Sequence, residues 1–369
     1  RSSDASGNAL HNYHTSRKFV SILGQLPTVA VTDEDIALID RWLSDPYDRG
    51  LVCSELDKGL IPKLLSSDIP EDWHKAVAIL GYCIRLIPGR TGDEYVTVVD
   101  DYWLKELLNH HISSFGNKVG AEAANLFRDR LNQLFGGARR SKLGYMYRPA
   151  VEDHPQNQDW HGAENRCVEG LRDILLAWID SAPDAASNYV KKLLESQLGI
   201  AQRIALHVIN HRWHICSHLF LNSIGHNFFV VELTHEVYQL LIAHFKDMNA
   251  THQELVLQSI ENIAVSERIE NAERYKRIEQ RRWLSAVRGK GNDRADLWFD
   301  DLGKGESAVG VSSHPDFHYY MESRWGDGDS PYQLEEILAF AREGELIDRL
   351  NAFQQTDRWE GPSTKALVN

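Results

Sequence analysis

Ile200-Ala201-Gln202-Arg203-Ile204-Ala205-Leu206-His207-Val208-Ile209-Asn210-His211-Arg212-Trp213-His214-Ile215-Cys216-Ser217-His218-Leu219-Phe220 is the stretch on which the reading of the fold turns. Ile204, Leu206, Val208 and Ile209 are interleaved with few charges, which predicts a helix touching neighbours on more than one side, the buried spine of a helical region from Ala182 to Phe245. His207, His211, His214 and His218 recur at helical spacing, so the same helix is predicted to carry all four on one face. Imidazoles one turn apart are common zinc ligands. The other reading is a seam between stacked helices, each ring packed through its apolar body. No Asp or Glu lies between Ile200 and Gly225 to complete a metal site, and the seam is the reading adopted.

The flanking chain repeats the same texture. Tyr189 to Ser196 reads as a short helix just before the spine. Thr32-Asp33-Glu34-Asp35 is a helix start, with Thr32 as cap and three acids favourable to the dipole in the first turn. Helical faces follow over Ile36 to Leu43, Leu51 to Ser66, and Glu71 to Ile87, the last punctuated by Pro70 and Pro88. Val98 to His111 and Val119 to Phe135 give two more helices, and the pattern resumes from Glu164 through Ala264. Ile61 to Leu80 laid on Val190 to Ile209 matches at Lys63/Lys192, Leu64/Leu193, Leu65/Leu194, Ser67/Ser196 and Ala76/Ala205, as a repeated helical pair requires. The fold class expected is all-α: an α-solenoid of stacked helical pairs of the HEAT or TPR kind, with one long insert and a loop-rich C-terminal part. Its organisation is an N-terminal extension over 1–32, a repeat array over 33–265 with the insert at 136–165, and a region over 266–369 holding a basic helix, a long loop and short C-terminal helices. No β-alternation of any length is evident apart from the short run Phe228 to Val231.

Composition narrows the class. With 43% hydrophobic and 25% charged residues the chain is ordinary for a soluble protein, and no apolar run approaches the ~20 residues that span a bilayer. A net charge of −13 disfavours a general nucleic-acid binder, which needs concentrated Lys and Arg. Cys53, Cys83, Cys167 and Cys216 are widely spaced without CxxC, so a reducing, cytoplasmic setting is expected and no cofactor. The chain starts at Arg1, which fits a fragment of a larger protein.

Signatures of chemistry fall short. Gly289-Lys290 and Gly303-Lys304 are both followed by Gly, so no P-loop is formed. His235-Glu236 begins like HExxH but Gln239 stands where the second histidine belongs. In the insert, Glu152, Asp153 and His154 hold acid, base or metal-ligating groups; the plainer reading is a structural plug in which Arg148 pairs with Glu152. Residues 267–294 hold nine basic and five acidic side chains, a local +4, much of it balanced within the helix. Candidate partner contacts are therefore the aromatic and cationic residues Tyr145, Tyr147, Arg148 and Trp160 of the insert, with Arg281 and Arg282 of the basic helix, types enriched at interface hot spots.

The segments Asp40 to Asp45, Leu60 to Leu65, Tyr147 to Asn157 and Arg203 to His207 resemble the long helical-repeat, sensor-type regions of large bacterial defence proteins, in which a STAND-type NTPase or sirtuin-like effector precedes a C-terminal array. The similarity spans Asp33 to Trp213 and, more loosely, the C-terminal tail. It implies a non-enzymatic scaffold or sensor that recognises a protein partner, such as a phage component, with the effector elsewhere in the parent chain. The alternative is a helical metal-dependent enzyme built on His207, His211, His214 and His218.

Overall fold

The computed structural model describes residues 13–46, 49–89, 94–137, 144–157, 162–224, 228–265, 271–320 and 330–353. The fold is all-α, and no helix among the described residues is long and apolar enough to cross a membrane. The chain divides into two units, Arg1–Tyr319 and Tyr320–Asn369; the boundary expected from composition at 265/266 lies inside the first.

The first unit begins with α1 (Tyr13–Gln25), α2 (Asp33–Leu43) and α3 (Arg49–Glu55). The start of α2 is the expected one: Thr32 Oγ1 accepts from the Asp35 N–H at 3.2 Å and Asp35 Oδ2 accepts from the Thr32 N–H at 2.9 Å, a reciprocal cap. The single helix expected over Leu51 to Ser66 is interrupted. A π-turn, Leu56–Leu60, separates α3 from α4 (Ile61–Ser66). Pro62 is the cause: it has no N–H, and its ring collides with the carbonyl four residues back, so the helix widens ahead of it. α5 (Pro70–Cys83) then leads into a two-stranded antiparallel ladder, β1 (Leu86–Pro88) with β2 (Tyr95–Thr97), strands of three residues each, too short for alternation to reveal.

α6 (Asp101–Phe135) joins the two helices expected on either side of residue 115 and marks their junction by a non-helical Val119, φ −138° and ψ 35°. After α7 (Gly144–Tyr147), α8 (Gly162–Ser181) packs along α6. Glycines set their distance: a Cβ on Gly116 would lie 2.7 Å from the Ile174 carbonyl oxygen, and one on Gly120 would lie 2.2 Å from the Trp178 ring. α9 (Pro183–Leu194), α10 (Gly199–His211) and α11 (Trp213–Leu221) follow, each packed on the one before. α12 (Thr234–His244) lies against α10, and α13 (Ala250–Glu261), α14 (Ala272–Val287) and α15 (Asp293–Leu302) complete the series. Phe228 and Phe229 lie in a loop and are buried.

The internal match has a geometric counterpart. The Ser67 N–H bonds the Leu64 carbonyl at 3.3 Å while Ser67 Oγ accepts from the Ile69 N–H at 3.1 Å; at the aligned positions, the Ser196 N–H bonds the Leu193 carbonyl at 3.2 Å and Ser196 Oγ accepts from the Leu198 N–H at 3.1 Å. Both helix pairs turn through the same serine-closed corner.

The second unit contains α16 (Leu334–Glu343) and α17 (Leu346–Ala352), joined by Gly344 in the left-handed conformation at φ 75°. Neither helix has a buried residue.

Candidate functional site: a buried arginine frame under the 148–157 loop

The loop that follows α7 is held from below by three arginines. Arg148, 1% exposed, curls back onto its own segment, donating from Nε to the Ala150 carbonyl at 2.8 Å and from Nη1 to Asn165 Oδ1 at 2.8 Å and Glu169 Oε1 at 3.1 Å. Arg203 of α10, also 1% exposed, donates to the Arg148 and Pro149 carbonyls at 2.6 and 2.7 Å and grips Glu236 of α12 with two bonds of 2.7 and 2.9 Å. Glu236 Oε1 in turn accepts from the Val151 N–H at 2.9 Å. Arg172 of α8 bonds the Val151 carbonyl at 3.0 Å and Asp153 at 2.8 Å. Burial raises the Asp153 carboxyl, but Arg172 and Arg148 more than offset it and hold it below its usual range. A chain with no regular hydrogen bonding of its own is thus satisfied by side chains, as buried backbone must be.

Above the frame sits a histidine clamp. His235 Nε2 lies 3.2 Å from Glu152 Oε1, and its Nδ1 forms an ion pair with Asp316 Oδ2 at 3.3 Å, outside hydrogen-bonding alignment. Burial opposes the charged ring, but Asp316 and Glu152 prevail and push His235 up to about 9. The same contact with His235 lowers Glu152, and lowers Asp316 against its own burial. Gln239 donates to Asp316 at 3.0 Å, and Phe317 packs on His235 and His154 with ring centroids 4.4 and 4.7 Å away. The aborted HExxH is therefore a hub: His235, Glu236 and Gln239 each bind a segment distant in sequence. An imidazolium locked between two carboxylates has its proton in place at neutral pH and is poorly suited to act as a general base. Arg148 bonds the backbone, not the side chain, of Glu152; the Glu152 carboxylate goes to His235.

Beside the loop a cleft of about 150 Å³ is lined by α6 and α8 residues, among them Lys105, Arg166, Glu169 and Arg172, with Asp153 from the loop. Its arginines are already paired: Arg166 with Asp101 at 2.8 Å and with Glu169, and Arg172 with Asp153 and Asp173.

The histidine stripe is divided. His207 and His211 pack with ring centroids 4.2 Å apart and planes tilted by 41° at the end of α10, but Arg212 leaves helical geometry at φ −126° and ψ 41°, so His214 and His218 ride on α11 as exposed side chains. Burial, then the His211 charge, drives His207 well below its ordinary value. Of the interface candidates, Tyr145 is half-buried and edge-on to His318 at 6.1 Å. Trp160 lies outside the described residues, as does the side chain of Tyr147. Arg148 serves the frame and is out of a partner's reach. Arg281 is tied to the Val309 carbonyl and stacks over Phe299; Arg282 pairs with Glu279 at 3.0 Å, both largely covered. Among the described residues, the group with metal-ligand spacing is a different one, Asp57, His110 and His111.

No family model matches the chain, and no curated protein or solved structure matches it either.

Proposed function

We propose that this chain is a non-enzymatic helical scaffold or sensor module, an α-solenoid of stacked helical pairs, that binds a protein partner as part of a larger bacterial protein of the anti-phage defence kind. The observation that carries the binding role is the α16–α17 hairpin. Its first helix is well built at both ends, with Gln333 capped by Glu336 and Gly344 closing it, yet Leu334 and Ile347 are 67% and 72% exposed and neither helix buries a residue. Helices of this length do not persist in water on propensity alone, and an apolar face formed by specified caps fits a surface completed by another chain. The recurring serine corner supports the stacked-pair reading. The short-segment resemblance to sensor arrays supports the defence setting. The frame under the 148–157 loop supports a non-catalytic role, since its charged groups are committed to one another.

The test is capture by cross-linking in the native host, comparing wild type with a Leu334→Asp, Ile347→Asp double variant whose far-ultraviolet circular dichroism is unchanged. A defined partner held by the wild type and lost by the variant is expected; a second copy of this chain, seen by sedimentation, would be one form of that partner. Equal capture by both, or no specific partner with the wild type, refutes the proposal.

A further inference from the structure

The geometry points to a divalent transition-metal site, of the zinc kind, formed by Asp57, His110 and His111. Asp57 Oδ1 lies 2.9 Å from His110 Nδ1 and 3.0 Å from His111 Nε2, and all three ligand atoms fall within 4.8 Å of one another. Ligands held at about 2.0–2.2 Å from a zinc ion stand roughly 3–3.5 Å apart in tetrahedral or octahedral arrangement; both imidazole nitrogens already stand at that spacing from Asp57 Oδ1, and the two nitrogens lie within 4.8 Å of each other. Two imidazoles and a carboxylate, with positions left over, are a donor set suited to zinc or iron(II) and poorly suited to magnesium or calcium.

The π-turn is the second, independent observation. In its wider register the Asp57 carbonyl would take its hydrogen bond from residue 62, but that residue is Pro62, and the Ile61 N–H is committed to Leu56. The carbonyl is left facing α6, 2.8 Å from His111 Nε2. Asp57 thus turns two oxygens, one from the side chain and one from the main chain, toward the same imidazole nitrogen. π-turns inside helices occur frequently at functional sites. Asp57 and His111 have side chains only 8% and 11% exposed, while His110 is 53% exposed, which supplies both a covered seat and an entry path. A bound ion would fasten the α3–α4 junction to α6. The rival arrangement uses no ion: His110 Nδ1–H and His111 Nε2–H both donate to Asp57 oxygens.

Chelator-stripped full-length protein titrated with zinc sulfate at neutral pH, by calorimetry and by the visible absorption of a cobalt(II) substitute, separates the two. One ion per chain is expected, with zinc raising the Tm of the wild type. His110→Gln, at a half-exposed position where folding is little disturbed, should weaken binding more than about tenfold, because even residues that only support a ligand are worth that much. His74→Gln, a surface histidine paired with Glu122, should change nothing. Absence of stoichiometric binding below about 100 μM, where the affinity would be no better than ~5.5 kcal/mol, overturns the proposal in favour of the hydrogen-bonded trio. Binding that survives His110→Gln overturns it equally.

Discussion

Replacing Arg203 by Met tests the arginine frame where it is most concentrated. The guanidinium makes four hydrogen bonds, two to Glu236 and one each to the Arg148 and Pro149 carbonyls, and both charged side chains are 2% exposed. Methionine keeps much of the volume and removes every donor. Glu236 is then a buried carboxylate supported by the Val151 N–H alone, a loss of about 3–5 kcal/mol for a broken buried pair. The two orphaned carbonyls add roughly 1–3 kcal/mol each where water fails to reach them. The total, about 5 kcal/mol at the lower end of those ranges, is a large share of the ~5–15 kcal/mol that holds a domain folded. Adding Glu236→Leu removes the stranded charge but leaves both carbonyls and the Val151 N–H unsatisfied. The double variant should therefore fall between the single variant and wild type, about 3 kcal/mol or more below the latter where the three groups stay dry. Urea denaturation gives the free energies, and hydrogen exchange of the 148–157 amides gives the local effect, which should be loss of protection there first. A single variant within about 1 kcal/mol of wild type, or a double variant as stable as wild type, would refute the reasoning.

Gly116→Ala gains about 1 kcal/mol of helix propensity but drives a methyl to 2.7 Å from the Ile174 carbonyl oxygen, an overpacking cost of about 1–3 kcal/mol or more; net destabilisation by thermal melting is expected, and a rise in Tm would contradict the packing described. His235, folded value about 9 against ~6.5 unfolded, contributes stability that is complete below pH 6.5 and is lost as pH rises through 9, by a few kcal/mol at most. His235→Gln should flatten that alkaline limb in pH-dependent denaturation; an unchanged limb would remove His235 as its source. His207 works with the opposite sign: its folded value is depressed, so its contribution is present above ~6.5 and lost on acidification, and His207→Gln should shrink the loss of stability below pH ~6.5, which an unaltered acid limb would disprove.

Periodicity made the helices legible and concealed their breaks. Thr32 and Asp35 name a start because a cap needs particular atoms at particular spacing, and they form it. Val119, Arg212 and the π-turn before Pro62 each alter the path at one point while the apolar residues on both sides keep helical spacing. A pattern that counts apolar positions registers such a break weakly, although Pro62 was the visible signal for one of them. The site was less legible than the fold. Arg203 and Glu236 stand among ordinary helical charges, and nothing local distinguishes an arginine that is 1% exposed from one in water. Glu236 drew notice through a failed motif, and its role came from Val151 and Arg203, contacts that only the fold creates. Asp57 and His111 meet because the turn widens; as neighbours on one helix, His110 and His111 suggest no shared target.

The distribution of buried polar bonds has a consequence for where binding chemistry can reside. The 148–157 loop would be expected, as an irregular segment, to be among the softer parts of the chain. Instead its carbonyls and N–H groups are held by Arg148, Arg203, Arg172 and Glu236, and its acidic residues by Arg172 and His235, so its opening requires breaking several charge-assisted bonds at once. Such a loop presents a fixed surface and gives up little freedom when something touches it. The α16–α17 hairpin is the reverse case: α16 is capped at both ends, but neither helix has a buried residue to oppose fraying. A partner that covers Leu334, Leu338 and Ile347 would supply the apolar contact those helices lack, and would bear the entropy of ordering them. Affinity at the hairpin should consequently depend on how far the free hairpin is already formed, whereas affinity at the loop should depend on contact alone. A surface change that stabilises α16 without touching Leu334, Leu338 or Ile347 would strengthen binding only if the hairpin is the docking element.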